Sequence, residues 1–177
     1  MNIANRLTIL RFLLVPIFVV LRMIPQSWGV VAAGGVFILA SLTDMLDGHL
    51  ARSRHLVTEF GKFADPLADK VLSSAAMIML VASGQIPAWA VIVIIAREFA
   101  ITGFRILAAA QQITIAAGPL GKIKTVTQLI SMTWLLFTPA LPEMPGLVVF
   151  YISVILTIIS GADYLWRNRQ VLDLENL

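Results

Sequence analysis

Four aspartates carry the chemistry that this chain can do: Asp44 and Asp47, three residues apart, and Asp65 and Asp69, four apart, each beside or inside a strongly apolar stretch. Spacings of three and four put the members of each pair on one helix face, so two helices suffice to aim four carboxylates at one point. Carboxylates at membrane depth are costly without compensation, and a bound divalent cation is their natural partner. The chain has no cysteine, and oxygen donors without thiolates suit a hard ion such as Mg or Mn, two of which can share four carboxylates. A metal pair suits phosphoryl chemistry, because it neutralises a pyrophosphate, polarises its phosphorus and stabilises the leaving phosphate. Gly48 and Gly61 lack side chains where a nucleotide or its phosphates would come close, Ala51 is nearly as small, and Arg52 is the obvious phosphate partner.

The elements that must position these groups are apolar helices. Of 177 residues 59% are hydrophobic and only 13% charged, and the mean hydropathy of +0.89 lies far outside the soluble globular range, which points to a bilayer. The formal net charge of +3 comes from basic residues scattered at segment ends, which suits anionic lipid or phosphate and excludes a nucleic-acid patch. Six stretches are long and apolar enough to be read as spans, roughly 7–21, 28–46, 62–83, 86–110, 123–139 and 147–166. Proline and glycine punctuate the breaks at 25–27, 84–87, 118–121 and 139–146, and Gly61 separates the second span from the third. The first apolar run is taken as a retained span, because Asn5, Arg6, Thr8 and Arg11 interrupt its start and no small-residue cleavage site follows. Of the Lys and Arg residues only Arg22 falls beside an odd-numbered connection, so both termini are expected on the cytoplasmic side, with the carboxylates at the cytoplasmic ends of the second and third spans. The expectation is an all-α integral membrane protein, one bundle of about six transmembrane helices over residues 1–177, with a cytoplasmic-side active site.

Read as one string, residues 44–69 are DMLDGHLARSRHLVTEFGKFADPLAD, which fits DxxDGxxAR, eight residues, then GxxxDxxxD. This resembles the signature of the CDP-alcohol phosphotransferases, integral membrane enzymes that displace CMP from a CDP-linked alcohol with a second alcohol. The resemblance implies that Asp44, Asp47 and Asp65 bind metal, that Asp69 binds metal and acts as general base, and that Gly48 and Arg52 hold the CDP moiety. Thr58 stands where family members offer a hydroxyl to the nucleotide substrate. The segments NIANRLTILRFLLVPIF, REFAITGFR from Arg97 and GKIKTVTQ from Gly121 resemble the phosphatidylglycerophosphate synthases within that family, and this likeness covers nearly the whole chain. It implies transfer of a phosphatidyl group from CDP-diacylglycerol to glycerol 3-phosphate, in a bacterial cytoplasmic membrane, by an enzyme of a kind that is commonly a homodimer. Asn5 and Thr8, near the cytoplasmic end of the first span, are then candidates to hold the cytidine or its ribose.

The cations Arg97, Arg105, Lys122 and Lys124, in or beside the fourth and fifth spans, exceed what a nucleotide needs and suit an acceptor carrying its own phosphate. Plainer readings compete. Arg52 can serve as a positive-inside anchor, the four cations can snorkel to the interface, Glu98 can pair with a neighbouring turn, and Asn5 or Thr8 can cap the first helix. Arg52, Lys62 and Lys70 stand near enough to pair with aspartates, although ion pairing for stability rarely concentrates four carboxylates in this way. Two other functions fit part of the pattern: the same displacement with another acceptor, such as inositol phosphate or phosphatidylglycerol, and a divalent-cation transporter. A transporter should show ionisable groups at several depths, whereas here they crowd one face.

Overall fold

The computed structural model describes the backbone of residues 3–53, 59–113, 115–116, 118–138 and 140–172, and the side chains of these except 3–6, 44–53, 59–63, 65 and 172. Among the described residues the chain is all-helical. Its elements are α1 (Ile3–Met23), α2 (Ser27–Ser53), α3 (Glu59–Ala82), α4 (Ala88–Ala110), α5 (Pro119–Leu136), α6 (Glu143–Arg167) and a short 3₁₀ turn, η1 (Arg169–Leu172). The six helices fall where the six apolar stretches do. Their ends differ in one place that matters: α2 continues past Leu46 to Ser53, and α3 begins at Glu59, so Gly61 lies in its first turn and does not separate two spans. The physical reason is that 47–53 contains no proline, and Leu50, Ala51 and Arg52 are good helix formers whose propensity outweighs the roughly 1 kcal/mol cost of Gly48. Of the described helices, α6 alone is long and apolar enough by length and composition to cross a membrane, and 27–43 within α2 is apolar but shorter. The other helices carry charged residues in mid-run, such as Arg11 in α1, Arg97, Glu98 and Arg105 in α4, and Lys124 in α5.

The chain divides into two compact units, 1–85 with 132–143, and 86–131 with 144–177, and α5 crosses the division. In the first unit α1 packs against both α2 and α3, which also touch each other. Phe18 and Phe37 meet with ring centroids 6.1 Å apart, and small residues (Ala33, Ala40, Ala68, Ala76) let the helices approach closely between Leu72, Met77 and Leu80. One end of this unit is tied by side-chain hydrogen bonds. Arg22 donates to Ser83 Oγ at 3.2 Å and to Gln85 Oε1 at 2.9 Å, while Gln85 Nε2 donates to the Leu135 carbonyl at 3.0 Å and to Thr138 Oγ1. The turn that presents Gln85 passes through Gly84 at φ 74°, a left-handed conformation that glycine adopts at little cost.

In the second unit the interior is more polar. α6 buries Ser153, Thr157, Ser160 and Tyr164 along one face, and α5 buries Lys124 and Gln128. The serine and threonine hydroxyls are satisfied first by their own helix: Ser153 donates to the Phe150 carbonyl at 2.7 Å, and Thr157 to the Ser153 carbonyl at 2.7 Å. Apolar packing closes the end of α4, where Ile101, Phe104, Ala108, Tyr164 and Val171 form a cluster. α4 stops at Gln111. There Gln112 adopts φ 61°, and Ile113 N–H bonds back to the Ala108 carbonyl at 2.8 Å, closing the exposed carbonyls of the last turn.

Candidate active site

Unbroken helical backbone runs through Asp44 and Asp47 in α2 and through Asp65 and Asp69 in α3, so each pair shares a helix face as its spacing requires. α2 and α3 are in contact. The side chains of Asp44, Asp47, Gly48, Ala51, Arg52, Gly61 and Asp65 lie outside the described residues, as do that of Asn5 and the whole of Thr58. Asp69 is exposed on α3, with Ser73 Oγ donating to its carbonyl at 2.9 Å. Among the described residues no group of three or more His, Cys, Asp or Glu is gathered for a metal, and three of the four aspartates fall outside that set. The donor chemistry fits a hard divalent ion: carboxylate pairs at helical spacing on two touching helices, in a chain without thiolates.

α1 packs against both of these helices. The Phe18–Phe37 contact fixes the antiparallel register of α1 on α2. Equal steps along the two helices from that pair bring Arg11 level with Asp44, and a further turn brings Thr8 level with Asp47. Thr8 and Arg11 are both 0% exposed. Thr8 was expected to serve the nucleotide, and this register sets its backbone level with that of Asp47. Arg11 was not singled out among the site residues, although the signal was present: a charged residue in mid-helix, one turn from Thr8, in an otherwise apolar run.

The second unit gathers three of the four cations proposed for the acceptor into described pairs. Glu98 Oε1 accepts from Lys124 Nζ at 2.5 Å and from Arg97 Nη1 at 3.0 Å, so the carboxylate joins α4 to α5. Lys124 is only 3% exposed, and a buried ammonium requires such a counter-ion. Arg97 Nη2 donates to Ser160 Oγ of α6 at 3.1 Å. α6 passes close to this side chain because residue 161 is glycine; a Cβ there would stand 3.1 Å from Arg97 Cγ. Arg105 Nε donates to the Tyr164 hydroxyl at 3.1 Å, and its guanidinium carbon lies 5.4 Å from the centre of that ring. Lys122 is exposed. It stands two residues from Lys124 on α5, a spacing that puts the two lysines on different faces. Ser160 and Tyr164 are the partners that sequence reasoning did not identify. Glu98 was read as pairing with a neighbouring turn, whereas it reaches across to Lys124 of another helix.

This arrangement can hold an anion by charge and by directed hydrogen bonds, and the aspartate helices can hold divalent ions. Comparison with known proteins agrees in kind. Residues 1–159 match the family model described as CDP-alcohol phosphatidyltransferase. A Bacillus subtilis (strain 168) protein named CDP-diacylglycerol–glycerol-3-phosphate 3-phosphatidyltransferase is 41% identical, over 99% of each chain. Proteins of the same name from Escherichia coli (strain K12) and Shigella sonnei (strain Ss046) are each 37% identical, over 95% of each chain. With its aspartate motif carried on two touching helices and its likeness to these relatives running nearly end to end, the chain belongs to the CDP-alcohol phosphatidyltransferase family.

Proposed function

We propose that the chain transfers the phosphatidyl group of CDP-diacylglycerol to glycerol 3-phosphate, giving phosphatidylglycerophosphate and CMP. The observation that carries this reading is that one chain holds both the complete aspartate motif, on α2 and α3, and a separate set of cations, held by Glu98, Ser160 and Tyr164, that suits a phosphate on the acceptor. The relatives named for this same reaction support it.

Asp44, Asp47, Asp65 and Asp69 would hold the divalent metal, Mg or Mn and in all two ions. When bound, the metal neutralises pyrophosphate charge and polarises the phosphorus under attack. Gly48, Ala51 and Gly61 leave room for the cytidine diphosphate, Arg52 pairs with its phosphate, and Asn5, Thr8 and Thr58 offer hydrogen bonds to the nucleoside. Arg97, Arg105, Lys122 and Lys124 take the phosphate of glycerol 3-phosphate. Asp69 accepts the proton from the primary hydroxyl as that oxygen bonds to the β-phosphorus, the bond from that phosphorus to the CMP oxygen breaks, and CMP leaves with the electron pair. No covalent enzyme intermediate is needed.

The chain is read as a multi-pass protein of the bacterial cytoplasmic membrane, one domain throughout, with both termini cytoplasmic and two copies forming a homodimer. The distribution of side chains supports immersion in lipid. In the second unit Ile92, Phe99, Ile106, Val126 and Ile155 are more than half exposed, while Lys124, Gln128, Ser153, Thr157 and Ser160 are buried. Such an inside-out pattern suits a hydrocarbon solvent, where polar groups seek partners within the protein.

The test is CMP release by the solubilised full-length protein given CDP-diacylglycerol and Mg or Mn, with glycerol 3-phosphate, inositol phosphate, phosphatidylglycerol, serine or no acceptor added. Release with glycerol 3-phosphate alone is expected. Release with a different acceptor would keep the displacement chemistry and discard the acceptor assignment. Metal uptake into vesicles without nucleotide lipid would favour a transporter.

A further inference from the structure

Arg105 differs from the other cations of the second unit in how it is held. Arg97 spends its two terminal nitrogens on Glu98 and Ser160, and Lys124 is bonded to Glu98. Arg105 instead is gripped from behind. Its inner nitrogen, Nε, donates to the Tyr164 hydroxyl at 3.1 Å and its guanidinium lies over the Tyr164 ring. Among the described residues Tyr164 is its only hydrogen-bond partner, which leaves both terminal nitrogens available. Arg105, Ala109, Gln112, Ile113 and Ile115 line a cavity of about 290 Å³, and among these described lining residues the guanidinium is the charged group.

Tyr164 is itself closely packed. It is 7% exposed, stands edge-on to Phe104 with ring centroids 5.9 Å apart, and belongs to the apolar cluster at the end of α4. An exposed arginine free of such a partner samples many rotamers, and ordering it on ligand binding costs affinity. A fixed phenol that takes both the Nε proton and the face of the guanidinium removes much of that cost, and leaves the paired Nη groups in the fork that suits two phosphate oxygens.

We propose that Tyr164 is a positioning residue for the acceptor: it pre-orders Arg105 to receive the phosphate of the attacking alcohol in this cavity. The inference rests on the proposed function, in assigning Arg105 to the acceptor's phosphate. Tyr164 does not touch the reacting atoms, so its effect belongs in acceptor binding and must vanish when Arg105 can no longer use it.

The experiment is steady-state kinetics on the solubilised full-length protein with CDP-diacylglycerol and glycerol 3-phosphate, for wild type, Tyr164→Phe, Arg105→Ala, Arg105→Lys and the two double variants. Tyr164→Phe keeps the ring and its packing and deletes only the hydroxyl. It is expected to raise KM for glycerol 3-phosphate about fivefold, with kcat and the KM for CDP-diacylglycerol within about twofold. On either Arg105 background, where the Nε donor is absent, Tyr164→Phe is expected to add nothing. An equal rise in both KM values, or a full additional effect on the Arg105 backgrounds, overturns the positioning role and makes Tyr164 a general packing residue. If Arg105→Ala raises the acceptor KM and Tyr164→Phe leaves it unchanged, this inference falls and the acceptor assignment stands. If Arg105→Ala leaves the acceptor KM unchanged, both fall.

Discussion

The two units solve the placement of charge in opposite ways. In the first, the proposed metal ligands are set by backbone periodicity: two aspartates on one face of α2, two on one face of α3, and the two helices in contact. In the second, the cations are set by side-chain pairing between helices, with Lys124 held by Glu98, Arg97 by Ser160 as well as by the adjacent Glu98, and Arg105 by Tyr164. The first needs two helices, α2 and α3, to form and to meet. The second needs α4, α5 and α6 to pack correctly, and so it is the more easily disturbed by changes at residues that never meet a substrate. The contrast matches the chemistry each is proposed to do. Displacement at phosphorus requires a fixed array of oxygens, whereas recognition of an acceptor requires cations whose direction and reach can be tuned.

Substitutions that separate the two regions should differ in which parameter they change, as well as in size. Asp69→Asn keeps the size and removes the proton acceptor, so kcat is expected to fall on the order of 10²–10⁴-fold while helical content is preserved; circular dichroism and CMP release measure the two together. Near-normal turnover would remove Asp69 as the base. Chelation of divalent ions is expected to abolish CMP release, and added Mg or Mn to restore it, since carboxylates are the proposed ligands; activity that survives exhaustive chelation would break the link between the first unit and metal.

Arg22→Ala should act on neither set of substrate contacts. It deletes the hydrogen bonds to Ser83 and Gln85, and is expected to cost about 2 kcal/mol of stability, visible as a lower thermal midpoint with both KM values unchanged. A change in either KM without a loss of stability would show that this tie reaches the site. The smallest effect is expected from Lys122→Ala, less than about threefold in the acceptor KM, because exposed ion pairs are worth little in water. A larger effect would place Lys122 beside Arg105 in importance and blur the distinction between the exposed lysine and the buried one.

How much of this was legible in the sequence follows the same division. Asp44, Asp47, Asp65 and Asp69 could be proposed from spacing alone, because a helix converts spacing directly into direction, and the six helices followed from apolar run length. Gly61 was misread as a separator, since helix propensity on either side carries the backbone through it. Arg11 was passed over because an arginine in an apolar run looks like an interruption until Phe18 meeting Phe37 sets its backbone level with Asp44. Ser160 and Tyr164 stand 63 and 59 residues from the arginines they hold, and no local pattern connects positions so far apart. Glu98 was noticed, yet its partner Lys124, 26 residues away, depends on how α5 packs against α4.

The most direct test of the division of labour is the ratio of kcat/KM for glycerol 3-phosphate to that for glycerol, measured for wild type and Lys124→Ala at saturating CDP-diacylglycerol. The two acceptors differ only in the phosphate, so the ratio reports its recognition and nothing of the displacement itself. The account predicts that Lys124→Ala lowers this ratio by about tenfold or more, through the phosphate-bearing acceptor alone. An unchanged ratio, with both acceptors slowed alike, would contradict it and return Lys124 and Glu98 to the role of a buried ion pair that only holds α4 to α5.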